Sequence, residues 1–350
     1  LTLRLAGLSD PALAGFDQII DVRAPAEFAE DHLPGAINLP VLDDEERARV
    51  GTIYKQVSPF DARKIGAALV AVNSARHITG TLMDRGGAWR PLVYCWRGGQ
   101  RSGSFATILG QIGWRVGRIE GGYKAWRALV VERVQNGPVP SPVVVLDGNT
   151  GSAKTAILQR LAARGHQVID LEGLANHRGS LFGAMPGGQP SQKMFEGRLA
   201  LAMERLDPAR PVLVEAESSR IGVVNVPKAM WQAICAAPRL QMQVPVEARA
   251  AFTAASYGDM VEDPARVAGI LDLLAPLHPA ERLEDWRAML ARQDWQALSE
   301  GLLRHHYDPR YQRHRMRHED GRGGTVAIAT LADLDAATGA VEDGLRRLGG

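Results

Sequence analysis

The stretch that most limits what this chain can fold into runs Val143-Val144-Val145-Leu146-Asp147-Gly148-Asn149-Thr150-Gly151-Ser152-Ala153-Lys154-Thr155. Its apolar start, Val143 to Leu146, reads as a buried strand, and Ile157, Leu158 and Leu161 mark one face of a following helix. A strand, a small-residue loop and Lys-Thr at a helix start aim backbone N–H groups at a phosphate. Lys154 adds charge there, and Thr155 adds a hydroxyl that can hold a magnesium ion. Gly148, Gly151, Ser152, Ala153, Lys154 and Thr155 are therefore the expected phosphate-binding residues. Ala153 stands where the pattern has its second glycine, which is harmless at negative φ and crowds the phosphate at positive φ. Further strands of a parallel α/β sheet are expected at 167–171, 211–215 and 240–246. The second of these segments, Pro211 onward, runs into Glu215 and Glu217, which alternate onto one side and can orient a metal or water; a solvated strand end is the alternative.

A chain of 350 residues exceeds one domain of about 150. Residues 1–134 alternate short apolar strands (Gln18 to Val22, Pro91 to Cys95, Val116 to Ile119) with amphipathic helices, the pattern of a separate α/β domain. Residues 135–142, with Pro138, Pro140, Pro142 and Gly137, read as a linker. The second domain is expected to run over 143–350, with a helical segment at about 259–306. No apolar run approaches the roughly 20 residues of a membrane span, and no secretory pattern is expected in Leu1 to Asp21. Two cysteines cannot build a disulfide framework or a four-cysteine metal site, so a reducing cytoplasm is expected and no metal is assigned with certainty. A net charge of +2 excludes a globally polycationic nucleic-acid binder and permits a local basic patch.

Cys95 lies at a strand end, ahead of a helix marked by Phe105, Ile108, Leu109 and Ile112 and ended by Gly113. A thiol there faces a helix N-terminus, loop amides at Gly98 and Gly99, and the cations of Arg97 and Arg101, all of which favour the thiolate. Cys95 is the expected nucleophile, inside an anion cradle of Arg97, Gly98, Gly99 and Arg101. Cys235 lacks such surroundings and reads as core. Two chemistries use a cysteine so placed, phosphate-ester hydrolysis and chalcogen transfer, and the loop alone does not separate them. Asp21 and Arg23 are expected to brace the sheet and loop, His32 to serve its turn, and Trp96 either to stack on a nucleobase or to cover the loop.

The flanks Asp21-Val22-Arg23, Glu27-Phe28, His32 to Leu39 and Gly121 to Trp126 together resemble a rhodanese domain over nearly all of residues 1–134. Phosphatases of the same fold share part of that scaffold. The cysteine loop is one residue longer than the usual rhodanese spacing, which is expected to widen it for a selenium- or phosphate-sized group. Beyond the phosphate loop, Asp170 to Ser180, Gln189 to Gln192 with Phe195-Glu196, and Glu217 to Gly222, joined to the Cys95 to Ser102 loop, closely resemble the bacterial tRNA 2-selenouridine synthases. That resemblance implies a rhodanese-like α/β domain followed by a P-loop α/β domain, in a transferase acting on wobble 2-thiouridine of tRNA. It implies S-geranylation from geranyl diphosphate and then replacement of the geranylthio group by selenium from selenophosphate. Cys95 would serve the selenium step, and Gly148 to Thr155 would hold a phosphorylated ligand, either the diphosphate or a nucleotide. An enzyme that makes selenophosphate would be a partner. A geranyl chain needs an apolar slot, for which Leu181, Phe182, Met185, Met194 and Phe195 are candidates, although core packing suits most of them.

Arg304 to Arg322 holds six arginines and four histidines against three acids. Tyr307 and Tyr311 interleave with Arg310, Arg313, Arg315 and Arg317, a mixture suited to phosphate contacts and base stacking. With His177, Arg178 and Arg220, these are the expected tRNA-binding residues; a salt-bridged surface is the alternative. The rival readings of the whole chain are a general sulfurtransferase fused to a nucleotide-binding module, a phosphatase, and a non-catalytic RNA-binding protein on the same scaffold.

Overall fold

The computed structural model describes residues 1–315 and 323–349. The chain divides into two compact units, Leu1–Gly137 with Pro190–Glu204, and Pro138–Gln189 with Arg205–Gly350. Each is built on a parallel five-stranded sheet.

In the first unit the strands are β1 (Thr2–Leu3), β2 (Gln18–Asp21), β3 (Ala36–Asn38), β4 (Pro91–Tyr94) and β5 (Gly117–Ile119), in the order β1-β5-β4-β2-β3. The central strand, β4, is buried along its whole length, as an inner strand covered on both faces must be. Gly117 lets β5 run past Phe16, whose ring would lie 2.4 Å from any Cβ at that position. The expected helix follows β4 at Gln100–Ile112 and stops at Gly113, which takes the left-handed conformation, φ 112°. The chain leaves β2 toward one edge of the sheet and β4 toward the other, so Cys95 sits at the carboxyl end of the strand where the winding reverses.

The second unit contains β6 (Val143–Gly148), β7 (Gln167–Ile169), β8 (Val212–Glu215), a two-stranded hairpin of β9 (Arg220–Ile221) and β10 (Val224–Asn225), then β11 (Arg239–Gln243) and β12 (Gly323–Ala327). Its main sheet has the order β12-β11-β6-β8-β7, with β6 in the middle. The phosphate-loop residues therefore leave the carboxyl end of the central strand, as Cys95 does in its own sheet. Helices Pro264–Leu273, Ala280–Ala291 and Trp295–Leu302 fill the region expected to be helical, around an apolar core of Phe182, Val267, Leu271, Trp286 and Leu298, and Val246–Ser256 is a further helix ahead of it that the sequence reading did not include.

The expected division of the chain differs from the structure at two places. Residues 132–136 still belong to a helical turn continuing the helix Gly122–Val131, so only the later part of 135–142 is irregular. Pro190–Glu204, expected within a continuous second domain, packs with the first unit. Its helix Gln192–Glu204 buries Phe195 completely, pairs Glu196 with Arg127, and brings Gly197 so close to the Trp126 indole that a Cβ there would lie 2.8 Å from the ring. Helical periodicity reveals a buried face but not which sheet it buries against.

Candidate functional site

In the first unit, residues 95–101 form a loop held from below by a second helix start. The Tyr123 amide donates to the Cys95 carbonyl at 2.9 Å, and the Lys124 amide to that of Trp96 at 3.0 Å. Gly122, with φ 58°, makes this approach possible, because a Cβ there would lie 2.2 Å from the Cys95 oxygen. Gly98 also has positive φ, 68°, and meets the Ile119 carbonyl. Among the described residues the amides of Trp96 to Gly99 meet no protein acceptor, which leaves them for an anion at the N-terminus of the helix Gln100–Ile112. The Cys95 sulfur is buried and accepts a hydrogen bond from Ser102 Oγ at 3.2 Å.

Of the expected cradle residues, Arg97 is exposed, whereas Arg101 is tied to Glu27 at 2.7 Å. Burial pushes the Glu27 carboxyl up, but Arg101 outweighs it and holds the group below its ordinary range. Arg101 is thus partly neutralised and fixed in place. Asp21 and Arg23 brace the fold, as expected. Both are buried, Arg23 Nη2 reaches Asp21 at 2.6 Å and the Asp31 carbonyl at 2.5 Å, and its guanidinium lies 4.0 Å from the Tyr123 ring centre. His32 stacks on Phe28 at 3.8 Å and bonds the Phe28 carbonyl. Trp96 leans on Tyr123, ring centres 5.2 Å apart, and so covers the loop with one face already used. Ser102 and Glu27 were not singled out from sequence as site residues; Glu27 acts 74 positions away from its partner, although Ser102 directly follows the second loop arginine.

In the second unit, the phosphate loop lines an open cavity of about 570 Å³, together with residues from 170–180, 216–218, 252–257 and 307–311. Gly151 and Ala153 both take positive φ, 81° and 60°. Ala153 is therefore in the conformation that the sequence reading associates with crowding, at a cost of roughly 1–2 kcal/mol relative to a right-handed residue. Lys154 Nζ folds back on its own loop, 2.7 Å from the Gly148 carbonyl and 5.5 Å from the Tyr311 ring centre. Arg249, buried, fixes the crest of the loop by donating to the Thr150 carbonyl at 3.0 Å and bidentately to Asp308.

Beside the loop stand three carboxylates. Thr155 Oγ1 donates to Glu172 at 2.7 Å, and the Glu172 amide donates to Glu215 at 2.7 Å. Glu215 is fully buried, which rules out a solvated strand end, and burial together with Asp170 holds its carboxyl far above the ordinary range. Burial and then Glu172 push Glu217 up to about 8, against the pull of Lys154. Glu217 thus keeps its proton near neutral pH beside Glu172, with Gly179 packed against both. Among the described residues no three His, Cys, Asp or Glu side chains are placed to hold a metal by themselves.

The expected tRNA-binding residues separate. His177 and Arg178 line the phosphate cavity; His177 accepts from the Gly179 amide at 3.1 Å, and Arg178 lies over Tyr257 at 4.6 Å. Arg310 lines it too, oriented by a histidine pair. Its Nη1 donates to His306 Nε2 at 3.1 Å, and His306 Nδ1 lies 2.9 Å from His278 Nε2. Burial, then Arg310 and His278, push His306 down to about 4, so it stays neutral and accepts. Tyr307 and Tyr311 line the cavity as well, and Tyr311 donates to the Ala216 carbonyl, so neither is a free stacking platform. Arg220 is exposed on the β9–β10 hairpin, donating to the Gly222 carbonyl. The side chains of Arg313 and Arg315, and all of Arg317, lie outside the described residues. Of the slot candidates, Phe182 and Met185 line spaces of the second unit, Leu181 is exposed, and Met194 and Phe195 belong to the first unit.

Two family descriptions match the chain, a rhodanese-like domain over residues 6–129 and a tRNA 2-selenouridine synthase AAA domain over residues 141–269. Proteins named tRNA 2-selenouridine synthase are similar along most of its length. That of Alcanivorax borkumensis is 38% identical over 249 residues, 68% of this chain and 66% of the relative. The protein of Shewanella loihica is 40% identical over 68% of this chain and 63% of its own, and that of Aeromonas salmonicida 39% over 66% and 62%. The matched region thus spans slightly under two thirds of these relatives.

Proposed function

The chain belongs to the tRNA 2-selenouridine synthase family, and from that premise we propose that it converts wobble 2-thiouridine in tRNA to 2-selenouridine in two steps. The observation that carries this reading is the presence, in one chain, of a buried cysteine under an amide-lined loop and of a phosphate loop, each at the end of a central strand. In the first step the thiocarbonyl sulfur attacks C1 of geranyl diphosphate; the C–O bond breaks and diphosphate leaves. The amides of 148–155, Lys154 and Arg310 receive the charge that develops on that leaving group. For this, Lys154 must exchange the Gly148 carbonyl for a phosphate oxygen. In the second step the selenium of selenophosphate bonds to C2 as the C–S bond breaks and geranyl thiol leaves, and water then cleaves the Se–P bond to release phosphate, with the first unit's loop holding the anion and Cys95 serving the transfer. Alkylation makes sulfur a leaving group, so one hard substitution becomes two easier ones.

A magnesium ion accompanying the diphosphate fits this site. Thr155 Oγ1 with Glu172 and Glu217 supplies the few protein oxygens such an ion takes alongside phosphate, and the proton on Glu217 would leave as it arrives. Bound there, it would neutralise diphosphate charge. The reaction belongs in the cytoplasm, supplied by an enzyme that makes selenophosphate. tRNA contacts fall to Arg220 and the basic segment of Arg313, Arg315 and Arg317. Removing those last three together should weaken tRNA binding and flatten its salt dependence, and unchanged affinity at every salt concentration would reject that surface.

The test of the reaction is nucleoside mass spectrometry of 2-thiouridine tRNA incubated with the protein and each reagent alone or both together. Geranylthio product with geranyl diphosphate and selenouridine with both reagents is the expected result. Sulfur transfer from thiosulfate with no change in the tRNA would favour a general sulfurtransferase instead.

A further inference from the structure

Arg310 reaches the phosphate cavity from the helix Asp308–Arg315, whose first residue is fastened to the phosphate loop. Asp308 accepts from the buried Arg249 and from Asn149, and Arg249 also donates to the Thr150 carbonyl. That fixes the backbone beneath Arg310 but not its long side chain. The turn ahead of the helix supplies the aim. Over Leu303–Tyr307 the backbone widens into a π turn, closed by the Asp308 amide on the Leu303 carbonyl, an insertion that recurs at functional sites. His306 lies within that turn, 2% exposed, and its neighbour Tyr307 lines the cavity. A guanidinium offers only N–H groups, so the His306 Nε2 that lies 3.1 Å from Arg310 Nη1 must present its lone pair. The proton of neutral His306 is then on Nδ1, where it faces His278 Nε2 at 2.9 Å. His278 must in turn carry its own proton on Nδ1. Both rings are kept neutral, His306 at about 4 as already described, and His278 held below its ordinary value by burial and then by Arg282, Arg310 and His305.

We infer that His278 and His306 are positioning residues for the first step: a one-way chain of hydrogen bonds, Arg310 to His306 and His306 to His278, holds the Arg310 guanidinium where the leaving diphosphate develops its charge. The inference rests on the proposed use of Arg310 there and adds what sets its aim. Neither ring lines the cavity, so neither touches the substrate. His278 is half-buried, its ring at a steep angle to the Trp286 indole with centres 4.9 Å apart, and it acts through the tautomer of its neighbour. With no acceptor at position 278, His306 is free to carry its proton on Nε2. A donor then faces a donor, and Arg310 is turned away from the histidine that aimed it.

The experiment is calorimetric titration of the full chain, without tRNA, with inorganic diphosphate, the leaving group itself. A hydrogen bond to a charged group is worth about one to two powers of ten, so Arg310→Ala should weaken binding ~10-fold or more and His278→Leu at least ~3-fold. His278→Gln keeps an oxygen that accepts from His306 and should stay within ~2-fold of wild type, as the same hydrogen bond is then retained. His306→Leu removes the link itself and should lose at least as much as His278→Leu. Added to Arg310→Ala, His278→Leu should cost nothing more, because its effect runs through the guanidinium; a histidine that only supported the fold would add its loss again. In geranylation of 2-thiouridine tRNA, His278→Leu should lower kcat more than it raises KM for geranyl diphosphate, since the charge on the leaving oxygen grows only as the C–O bond breaks. The inference is overturned if both leucine variants bind diphosphate as wild type does, if His278→Leu still weakens binding in the Arg310→Ala background, or if its kinetic effect is confined to KM. The expected binding pattern in a protein that geranylates no tRNA would reject the proposed first step and leave the histidine chain standing; geranylated tRNA with wild-type binding in every variant would do the reverse.

Discussion

Ala153 holds a left-handed backbone at the start of the helix Lys154–Ala163 in a position that glycine fills without strain. Ala153→Gly should therefore raise stability by about 1 kcal/mol in a denaturant titration. If stability falls instead, the methyl group packed among Leu146, Ile157 and Leu158 outweighs the strain. Glu217 gives a second handle. Its carboxyl is raised to about 8 from an ordinary 4.5, so the folded state favours the protonated form. That contribution is complete below about pH 4.5 and is lost as pH rises through 8. Glu217→Gln should lessen the fall in melting temperature between pH 5 and 8, and an unaltered slope would show that Glu217 is ionised throughout. Cys95 and Lys154 were legible as single residues because their chemistry is written in the neighbouring glycines, arginines and threonine. Glu27 on Arg101 and Glu172 on Thr155 were not, since each acts on a partner that only folding brings near.

At the scale of elements, both reactive loops were legible because a buried strand, a small-residue turn and a helix start follow one another in sequence. What supports them is non-local. The loop of Cys95 rests on the Gly121–Gly122 turn, where φ of 70° and 58° and a missing Cβ let the amides of Tyr123 and Lys124 reach it. Gly122→Ala should displace that loop and slow iodoacetamide alkylation of Cys95 by tenfold or more, while the control Gly110→Ala, facing open space on the helix Gln100–Ile112, leaves the rate unchanged. Equal rates in the two variants would mean that the turn does not set the thiol's reactivity. The helices from 264 to 302 were legible as helices, whereas Val246–Ser256 was not, and neither was the gap that they line. Leucine spacing shows that each has an apolar face, and the gap belongs to their packing.

Over the whole molecule, two sheets of five parallel strands follow from the alternation of strands and helices, and the division near residue 137 follows from the prolines. The return of Pro190–Glu204 to the first unit was hidden because nothing in an amphipathic helix names its partner sheet. A fragment ending at Gly137 should consequently melt well below a fragment in which 190–204 is joined back by a flexible linker; equal melting temperatures would show that Trp126 and Arg127 do without that helix. The central claim assigns one chemical step to each unit. Its most direct test is nucleoside mass spectrometry of 2-thiouridine tRNA given both geranyl diphosphate and selenophosphate with wild type, Cys95→Ala and Lys154→Ala. The expected products are 2-selenouridine, accumulated geranylthio nucleoside and unchanged 2-thiouridine, respectively. Selenouridine formed at the wild-type rate by Cys95→Ala, or geranylthio product formed normally by Lys154→Ala, would contradict the division of labour.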